Sequence, residues 1–499
     1  MAKNKIKIVI LGGGTAGWLT ALWIENSYDN VDITVLEDPS KPPIIAGESG
    51  GFALSRIYDT LGINFAHWGL TVGATPKLGG KFVGWNGKDS VFYHSLITNY
   101  YSVWEKRFPS LEERYYYLRG LVGNNVPLCD IVPTGELLKN NKVPFSADGA
   151  IIDDIYPMWH FNSRENADYL KQIALERNIT LVEGTYQHSE KLSTGQIDSI
   201  VLTNGTVLQA SWFFDCSGFA RLLLEKEMGV KSLDRTMYFP ARAVLPWWDE
   251  TVLNTGTLAT TMDAGWTWQI GLRDRTGQGY LYDPDFLSED QALKEIRTKF
   301  GEHIEPVAKL RFNPCILEKF QTKNVFGIGL STGFMEPLEA NGTGIIVDQL
   351  LALEKNWNPF VQLNEAAEKT YNNDVHKSYD GIKDFLSLHY RGKGLETEFW
   401  KEQSNPERTP DSLKQRIEEF TEWYKTGKID FLKYHDGFSI ESWLTVIQAL
   451  DIIDYKLINL GEIGPFIDNY YKQQKDQYVN IQNRCIGIEQ WISKVSINH

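Results

Sequence analysis

The feature that most constrains the fold is a glycine-rich turn near the start of the chain. Residues 5–11 (KIKIVIL) are a β-branched apolar run of strand length, and residues 16–27 place apolar positions at helical spacing. Between them, residues 12–17 (GGGTAG) match GxGxxG in the strand–turn–helix context that this pattern requires. A second strand-like run follows at 31–37, so residues 5–40 are predicted to form one βαβ dinucleotide-binding unit.

The residues of this unit have distinct physical roles. Gly12 permits the tight turn, Gly14 lets backbone amides approach a pyrophosphate, and Gly17 lets the helix pack closely on the strand. Glu37 ends the second strand, where it is placed to accept a hydrogen bond from a ribose hydroxyl. A glycine-rich turn without a ligand is the alternative. The candidate cofactor-binding residues are Gly12, Gly14, Thr15, Ala16, Gly17 and Glu37.

Composition limits the classes of protein and of site. The length of 499 residues predicts more than one packed unit, with 42% hydrophobic residues to fill the cores. A net charge of −14 gives no electrostatic reason to bind a nucleic-acid backbone. The four cysteines form no CxxC pair, which indicates neither a metal site nor a disulfide framework, and we expect buried free thiols in a cytoplasmic protein.

One segment raises the alternative of a signal peptide or a membrane anchor. Residues 6–24 are largely apolar and follow Lys3 and Lys5. The glycines of the turn interrupt this run, and no other segment is long and apolar enough to span a bilayer. We therefore expect no membrane association.

Two later segments distinguish FAD from NAD as the dinucleotide. A strand-like run ends in FFDCSGF at 213–219, and another gives way to GIGL at 327–330. Returns of the chain so far apart suit a long FAD molecule. Because GxGxxG occurs only once, no separate NADPH-binding domain is predicted.

Seven short motifs spread along the chain form a specific set. They are GGGTAGW (12–18), GES (47–49), MWHFNSRENADYLK (158–171), FDCSGF (214–219), GWTWQIG (265–271), FMEPLE (334–339) and FLSLHYRG…FW (385–400). In this set the chain resembles the flavin-dependent tryptophan halogenases along most of its length. The halogenase signature WxWxIP is matched except in its last place, where Gly271 replaces proline.

The resemblance implies an α+β fold. Its core would be a Rossmann-type FAD-binding fold of the aromatic-hydroxylase and halogenase kind, with a substrate sheet and a helical C-terminal layer. We expect residues 1–390 to form the FAD-binding and halogenation core. Residues 391–499 would be a helical region that covers the substrate.

Two catalytic residues follow from the resemblance. Lys77, in PKLGGKF (76–82), takes the place of the family's catalytic lysine, although a lysine between apolar residues is more often a surface residue. Lys81 is the second lysine of this pattern. Glu339 takes the place of the catalytic glutamate, and the alternative is a glutamate stabilised by a helix dipole. Ala340 stands where the family has serine.

The resemblance also implies flavin and halide contacts. The further flavin contacts are Gly47, Glu48, Ser49, Gly329 and Leu338. The halide-binding pair falls on Asn341 and Gly342, and a two-residue slip would place it on Thr343 and Gly344 instead. Backbone amides at such a turn bind an anion, so the identity of the side chains matters little.

A run of bulky residues is expected to shield the flavin. Alternation along a strand puts Trp266, Trp268 and Ile270 on one face. In the family this wall keeps the substrate away from the flavin. From the residues alone, a plain core strand is the favoured interpretation, since aromatic side chains usually fill cores.

The substrate contacts are the least specific part of the resemblance. Phe92 and His94 resemble an aromatic substrate loop, but Ser95 and Leu96 depart from the family. Residues 438–443 lack the paired tyrosines and the acid that hold the amino-acid part of free tryptophan. The substrate is therefore expected to be indole- or phenol-like, and free tryptophan is expected to be a poor substrate.

The implied reaction halogenates an electron-rich aromatic compound. FADH2 from a separate flavin reductase, oxygen and chloride, bromide or iodide yield hypohalous acid, which Lys77 delivers. Two alternatives stay open, an FAD-dependent hydroxylating monooxygenase and a non-catalytic flavin-binding protein, the latter because of Gly271 and Ala340. The substrate, its regiochemistry, the preferred halide and a homo-oligomeric state are left open.

Overall fold

The protein is described here from a computed structural model. The described residues are 5–41, 49–95, 110–428, 437–454 and 464–497. Among them, no helix combines the length and the apolar character needed to cross a membrane. All four cysteines are buried and carry free thiols.

The strands of the described residues are, in chain order, β1 (Ile6–Leu11), β2 (Val31–Glu37), β3 (Ser49–Gly50), β4 (Thr75–Lys77), β5 (Gly79–Val83), β6 (Val91–Ser95), β7 (Met158–His160), β8 (Thr180–Glu183), β9 (Tyr186–Lys191), β10 (Ile197–Leu202), β11 (Val207–Gln209), β12 (Trp212–Asp215), β13 (Ser232–Asp234), β14 (Ala243–Asp249), β15 (Thr257–Met262), β16 (Gly265–Gly271), β17 (Thr276–Tyr282), β18 (Leu310–Arg311), β19 (Cys315–Leu317), β20 (Gln321–Thr322), β21 (Val325–Gly327) and β22 (Gly333–Phe334). The α-helices are α1 (Thr15–Ser27), α2 (Phe52–Thr60), α3 (Phe65–Thr71), α4 (Leu111–Gly123), α5 (Pro133–Lys139), α6 (Ser163–Glu176), α7 (Glu289–Phe300), α8 (Asn341–Asn356), α9 (Glu365–His389), α10 (Glu398–Gln403), α11 (Asp411–Thr426), α12 (Ile440–Ala449), α13 (Gly464–Arg484) and α14 (Ile488–Ile497).

The chain divides into two compact units, and each draws on three separate segments. The first unit contains residues 1–74, 161–236 and 313–380. The second contains residues 75–160, 237–312 and 381–499. This division interleaves the two units along the chain. The expected division into residues 1–390 and 391–499 stays a prediction. The C-terminal segment that was expected to be helical lies entirely in the second unit.

The first unit is built on a six-stranded sheet in the order β20-β21-β12-β1-β2-β8. Strand β1 lies between β12 and β2 and pairs with both in parallel. Helix α1 connects β1 to β2, and its residues 17–24 are buried. The predicted βαβ unit at 5–40 is therefore confirmed. Its apolar run is a buried strand and helix, which explains the hydrophobicity that suggested a membrane segment.

The second unit is built on a seven-stranded sheet in the order β18-β14-β17-β16-β15-β5-β6. Its neighbours pair antiparallel except β15 and β5, which are parallel. Helix α7 covers one part of this sheet with the buried residues Ala292 and Ile296. Strands β4 and β7 form a separate antiparallel pair. The Rossmann-type sheet, the second sheet and the helices after residue 340 together give the α+β fold that the sequence predicted.

Candidate functional site

The glycine-rich turn follows β1 at the carboxyl end of the parallel sheet. Gly12 has φ +127°, and a Cβ there would overlap the carbonyl oxygen of Cys216. A Cβ at Gly17 would overlap the carbonyl oxygen of Gly12. At Gly14, in contrast, a Cβ would meet no described atom within 4 Å. The first two glycines are thus required by packing, and Gly14 faces open space at the N-terminus of α1.

Other strand ends meet the turn at the same edge of the sheet. Strands β1, β12 and β21 are parallel neighbours, so the residues that follow them lie side by side. Gly329, beyond β21, has φ +72° and donates its N–H to Gln349 Oε1 at 2.7 Å. A Cβ at Gly329 would lie 3.1 Å from Ala16 Cβ. The structure therefore brings together Gly12, Ala16, Gly17 and Gly329.

Glu37 lies beside the turn but already has an ionic partner. Its side chain packs so closely on Gly13 that a Cβ there would lie 2.6 Å from Glu37 Cγ. Lys171 of α6 places its Nζ 2.5 Å from Glu37 Oε2. Sequence reasoning missed this lysine, because 134 residues separate the two partners. The ribose contact of Glu37 stays a prediction.

A buried polar cluster supports the first residue of α1. Asn166 is fully buried, and its amide nitrogen lies 3.5 Å from the hydroxyl of Thr15. Its carbonyl oxygen accepts hydrogen bonds from Tyr58 at 2.6 Å and from Trp68 Nε1 at 2.8 Å. Asn166 belongs to the MWHFNSRENADYLK motif, and sequence reasoning did not assign this contact to it.

The carboxylate of the FDCSGF motif is structural. Asp215 is fully buried and accepts hydrogen bonds from the backbone N–H groups of Ser217, Leu223 and Leu224, at 2.8 to 3.1 Å. Burial raises the pKa of this carboxyl group, and the hydrogen bonds oppose that effect. Asp215 thus fixes the start of the helical turn at 222–227.

A strained turn precedes α8. Glu339 (φ 61°) and Ala340 (φ 55°) are consecutive non-glycine residues in the left-handed region. Asn341 holds the turn, since its side-chain amide donates to the carbonyl oxygens of Glu336 at 2.8 Å and Leu338 at 2.7 Å. Strain of this kind persists only where the surroundings fix it, and it concentrates at functional sites.

The N-terminus of α8 has the geometry of an anion site. Among the described residues, no side chain caps this helix, and a Cβ at Gly342 or Gly344 would meet no atom within 4 Å. The first N–H groups of a helix have no partner within the helix, and the dipole favours negative charge there. Thr343 directs its hydroxyl to the carbonyl oxygen of Ser49, at 3.3 Å. Leu338 and both halide assignments therefore lie within residues 338–344 of the first unit, and the backbone of Ser49 lies beside them.

In the second unit, Lys77 is almost completely buried. Its exposure is 5%, so it is not a surface lysine with its charged group in water. It ends β4, where it pairs with Met158, and Thr75 on the same face pairs with His160. The hydroxyl of Thr75 donates to the carbonyl oxygen of Gly271 at 2.7 Å. Lys81, in contrast, is partly exposed, with its Nζ 5.9 Å from the centre of the Tyr93 ring.

His160 ends β7 and lies diagonally across the β4–β7 ladder from Lys77. Sequence reasoning did not single it out. It is fully buried, with Nε2 2.9 Å from the hydroxyl oxygen of Thr257. Burial lowers the pKa of His160 well below its ordinary value, and the charge of Lys77 lowers it further. The ring is therefore neutral at physiological pH.

The three residues of the proposed wall lie on β16 and are all buried. Trp266 and Trp268 have ring centroids 6.0 Å apart. Trp266 donates its indole N–H to Tyr390 at 3.1 Å and packs against Trp85, which makes its surroundings those of a core. Ile270 lies at the other end of the run. Whether the wall shields a flavin stays a prediction.

Phe92 and His94 belong to one aromatic cluster of the second unit. Phe92 stacks on Phe82, with ring centroids 4.6 Å apart. The ring centroid of His94 lies 5.8 Å from that of Phe385. The ring centroid of His389 lies 5.0 Å from that of Phe385 and 5.3 Å from that of Phe82. The cluster consists of Phe82, Phe92, His94, Phe385 and His389. Its last two members come from the FLSLHY motif, which sequence reasoning did not assign to the site.

The segment at 438–443 extends this cluster and carries a buried charge. Phe438 stacks on Phe385 with centroids 3.9 Å apart, and Trp443 lies 5.1 Å from the same ring. The segment does contain an acid, Glu441, but its carboxylate is buried 3.8 Å from Arg114 Nε. The charge of Glu441 is thus already balanced within the protein.

Two predicted flavin contacts, Gly47 and Glu48, lie outside the described residues. Within the described part of the chain, no group of three or more histidine, cysteine, aspartate or glutamate residues is arranged to hold a metal ion.

Comparison with known proteins identifies the relatives of this chain. Residues 7–462 match the family profile described as tryptophan halogenase. The tryptophan 7-halogenase RebH of Lentzea aerocolonigenes is 30% identical, covering 97% of this chain and 98% of the relative. The tryptophan 7-halogenase KtzQ of Kutzneria sp. is 31% identical over 80% of this chain and 79% of its own length.

Solved structures show the same fold. A tryptophan halogenase from Shewanella frigidimarina superposes with a TM-score of 0.86 at 21% identity, covering 99% of this chain and 98% of that one. The tryptophan 6-halogenase SttH from Streptomyces toxytricini superposes with a TM-score of 0.85 at 22% identity, covering 98% and 100%.

Proposed function

Because this chain belongs to the tryptophan halogenase family, we propose that it uses FADH2, oxygen and a halide to halogenate an electron-rich aromatic compound. It is an enzyme of the flavin-dependent halogenase class. The observation that carries the finer proposal is the burial of Lys77, the residue that the family motif assigns to delivery of the oxidised halogen.

The glycine cradle fits an FAD pyrophosphate. Gly12 and Gly17 bring the turn and α1 close to β1, and the open space beside Gly14 leaves room for phosphate at the helix N-terminus. Gly329 would line the same edge of the sheet, and Glu37 would share its carboxylate between Lys171 and a ribose hydroxyl. When bound, reduced FAD supplies the oxygen chemistry that oxidises the halide to hypohalous acid. A separate reductase would provide the FADH2.

The turn at the start of α8 would hold the halide. In an α-helix that begins at Asn341, the N–H of Gly344 bonds to the carbonyl oxygen of Ala340, which leaves the amides of Asn341, Gly342 and Thr343 outside the ladder. This supports Asn341 and Gly342 rather than Thr343 and Gly344. The left-handed pair before the helix directs these amides to one side, as anion-binding turns do.

Lys77 and Glu339 would act on the oxidised halogen and on the substrate. The ammonium of Lys77 donates a hydrogen bond to hypohalous acid, or its amine carries the halogen. Glu339 orients the oxidant or accepts the proton that leaves the aromatic ring. Burial strengthens the role of Lys77, since electrostatic interactions are stronger where water is excluded. Trp266, Trp268 and Ile270 would separate the substrate from the flavin.

The substrate is proposed to be an indole or a phenol without a free amino-acid group. Phe92 and His94 would contact its ring, supported by Phe385. The carboxylate of Glu441 is balanced by Arg114, so a substrate ammonium would have to break that buried pair. Free tryptophan would therefore be a poor substrate.

The test is a screen of halides and substrates with the purified chain, FAD, NADH and a generic flavin reductase. We expect halogenated products from simple indoles or phenols with chloride, bromide or iodide. Hydroxylated products, or NADH consumption by the protein alone, would indicate a hydroxylating monooxygenase. No product across the panel would indicate a flavin-binding protein. Faster turnover of tryptophan than of indoles and phenols would contradict the substrate assignment.

A further inference from the structure

The side chain of His160 lies on the same face of a two-stranded ladder as Lys77. Strands β4 and β7 pair antiparallel with Thr75 opposite His160, and Lys77 is two residues beyond Thr75. Side chains two residues apart share a face, and diagonal neighbours across such a pair are roughly 7–8 Å apart, within reach of a long side chain. Lys77 and His160 are therefore diagonal neighbours, both inside the protein.

One nitrogen of the His160 ring is engaged and the other is not. Nε2 lies 2.9 Å from the hydroxyl oxygen of Thr257, which anchors the ring to β15. Nδ1 is buried and has no hydrogen-bond partner among the described residues. Buried polar atoms are seldom left unpaired, so an unpaired one at a candidate site needs a reason.

The charges around the ring select its tautomer. Among the described residues of the second unit, Lys77 is the charged group that acts on the pKa of His160, in the direction that keeps the ring neutral. Thr75, Met158 and Thr257 face the ring from β4, β7 and β15 and carry no charge. A neighbouring cation favours a lone pair rather than an N–H on the side that faces it. A neutral ring that donates from Nε2 to Thr257 presents Nδ1 as an acceptor.

We propose that His160 is a positioning residue for Lys77, presenting the lone pair of Nδ1 to the Lys77 ammonium. This inference rests on the proposed function, in which Lys77 delivers the oxidised halogen. A lone pair that faces an ammonium favours the protonated form of that group. His160 would thus hold Lys77 as an ammonium, which favours delivery by hydrogen bonding over a haloamine.

The test separates the two ring nitrogens. Asparagine places an oxygen near the position of Nδ1, whereas glutamine reaches only to the position of Nε2. The pKa of Lys77 is followed by NMR of ¹³C-labelled lysine, with the Lys77 resonance assigned by its loss in Lys77→Met. We expect His160→Gln to lower the Lys77 pKa by about one unit or more, and His160→Asn to leave it nearly unchanged.

The controls keep a folding defect apart from a lost contact. Thermal unfolding is measured for each variant. Thr257→Val removes the hydroxyl that anchors the His160 ring but keeps the ring, and it should lower the Lys77 pKa as His160→Gln does. An unchanged pKa in His160→Gln, or equal shifts in the asparagine and glutamine variants, would overturn the proposal. The alkaline limb of the halogenation rate should follow the Lys77 pKa. A shifted pKa with an unshifted rate profile would uphold the contact and reject Lys77 as the delivering group.

Discussion

The indole of Trp268 lies directly across Gly279 on the neighbouring strand, so that a Cβ at position 279 would overlap Trp268 Cζ2. Because Gly279 has no side chain, β17 leaves room at this position for Trp268, the middle residue of the proposed wall. The fit between these two residues, rather than the aromatic run alone, sets the position of the indole.

Gly279→Ala should therefore displace Trp268. We expect a loss of about 1–3 kcal/mol in the free energy of unfolding, because overpacking forces the ring or the strand to move. If the wall shields the flavin, the yield of halogenated product per FADH2 consumed should also fall. The matched control is Gly279→Ala in a protein that already carries Trp268→Phe. The smaller phenylalanine ring leaves room for the added methyl group. An equal penalty in both backgrounds would show that the two residues are not coupled.

Lys77→Met should abolish halogenation and keep flavin reoxidation. The substitution keeps the apolar stem and removes the charge, and contributions of this chemical kind are worth roughly a hundred- to ten-thousand-fold in rate. Product formation is measured with a scavenger of free hypohalous acid. Lys81→Met serves as the control, since Lys81 is partly exposed beside Tyr93. A wild-type rate in Lys77→Met would reject the assignment and make Lys81 the next candidate.

Gly14 and Gly17 should respond differently to a methyl group. Gly14→Ala adds it in open space, so the melting temperature should stay the same while the affinity for FAD falls. Gly17→Ala places it against the carbonyl oxygen of Gly12, so the protein should be destabilised by about 3 kcal/mol. FAD binding is measured by quenching of flavin fluorescence. Wild-type affinity in Gly14→Ala would mean that the pyrophosphate does not lie at this turn.

The turn before α8 allows stability and halide binding to be separated. Ala340→Gly should stabilise the protein by about 1 kcal/mol, because glycine adopts the left-handed conformation without strain. Asn341→Asp removes the donor to Glu336 and Leu338 and adds a negative charge, so the apparent KM for halide should rise. The apparent KM for chloride and for bromide is measured by halide titration of both variants. An unchanged halide KM in Asn341→Asp would place the halide elsewhere.

The stability of the protein should depend on pH through His160. Its pKa in the folded protein lies well below the ordinary value of about 6.5, so the unfolded chain binds a proton first as the pH falls. Stability present above pH 6.5 should be lost below it, at about 1.4 kcal/mol per pH unit until the folded pKa is reached. Urea unfolding of the wild type and of His160→Asn from pH 8 to 5 measures this, with His188→Asn on exposed β9 as the control. Parallel pH profiles would contradict it.

The sequence predicts the local elements of this fold well. The βαβ unit follows from residues close together in the chain. So does the start of α6, where Asn162 accepts hydrogen bonds from the N–H groups of Arg164 and Glu165. The sequence did not predict the contacts between segments that are distant in the chain. Lys171 and Glu37 are 134 residues apart in the sequence, and β4 and β7 are three-residue strands, too short to show a periodicity. The motifs located Lys77, but only the ladder places His160 beside it.

The interleaved segments of the two units affect how the chain can fold during synthesis. Strand β1 finds β2 within about 25 residues, but its other neighbour, β12, is made some 200 residues later, and β21 later still. The first unit therefore cannot close on the ribosome until residues beyond 320 have emerged, and by then most of the second unit's strands are already present. Contacts so distant in sequence slow folding and prolong the exposure of unpaired edges. Neither unit can be isolated by trimming the chain from one end, and expression should depend on chaperones more strongly than for an enzyme with consecutive domains.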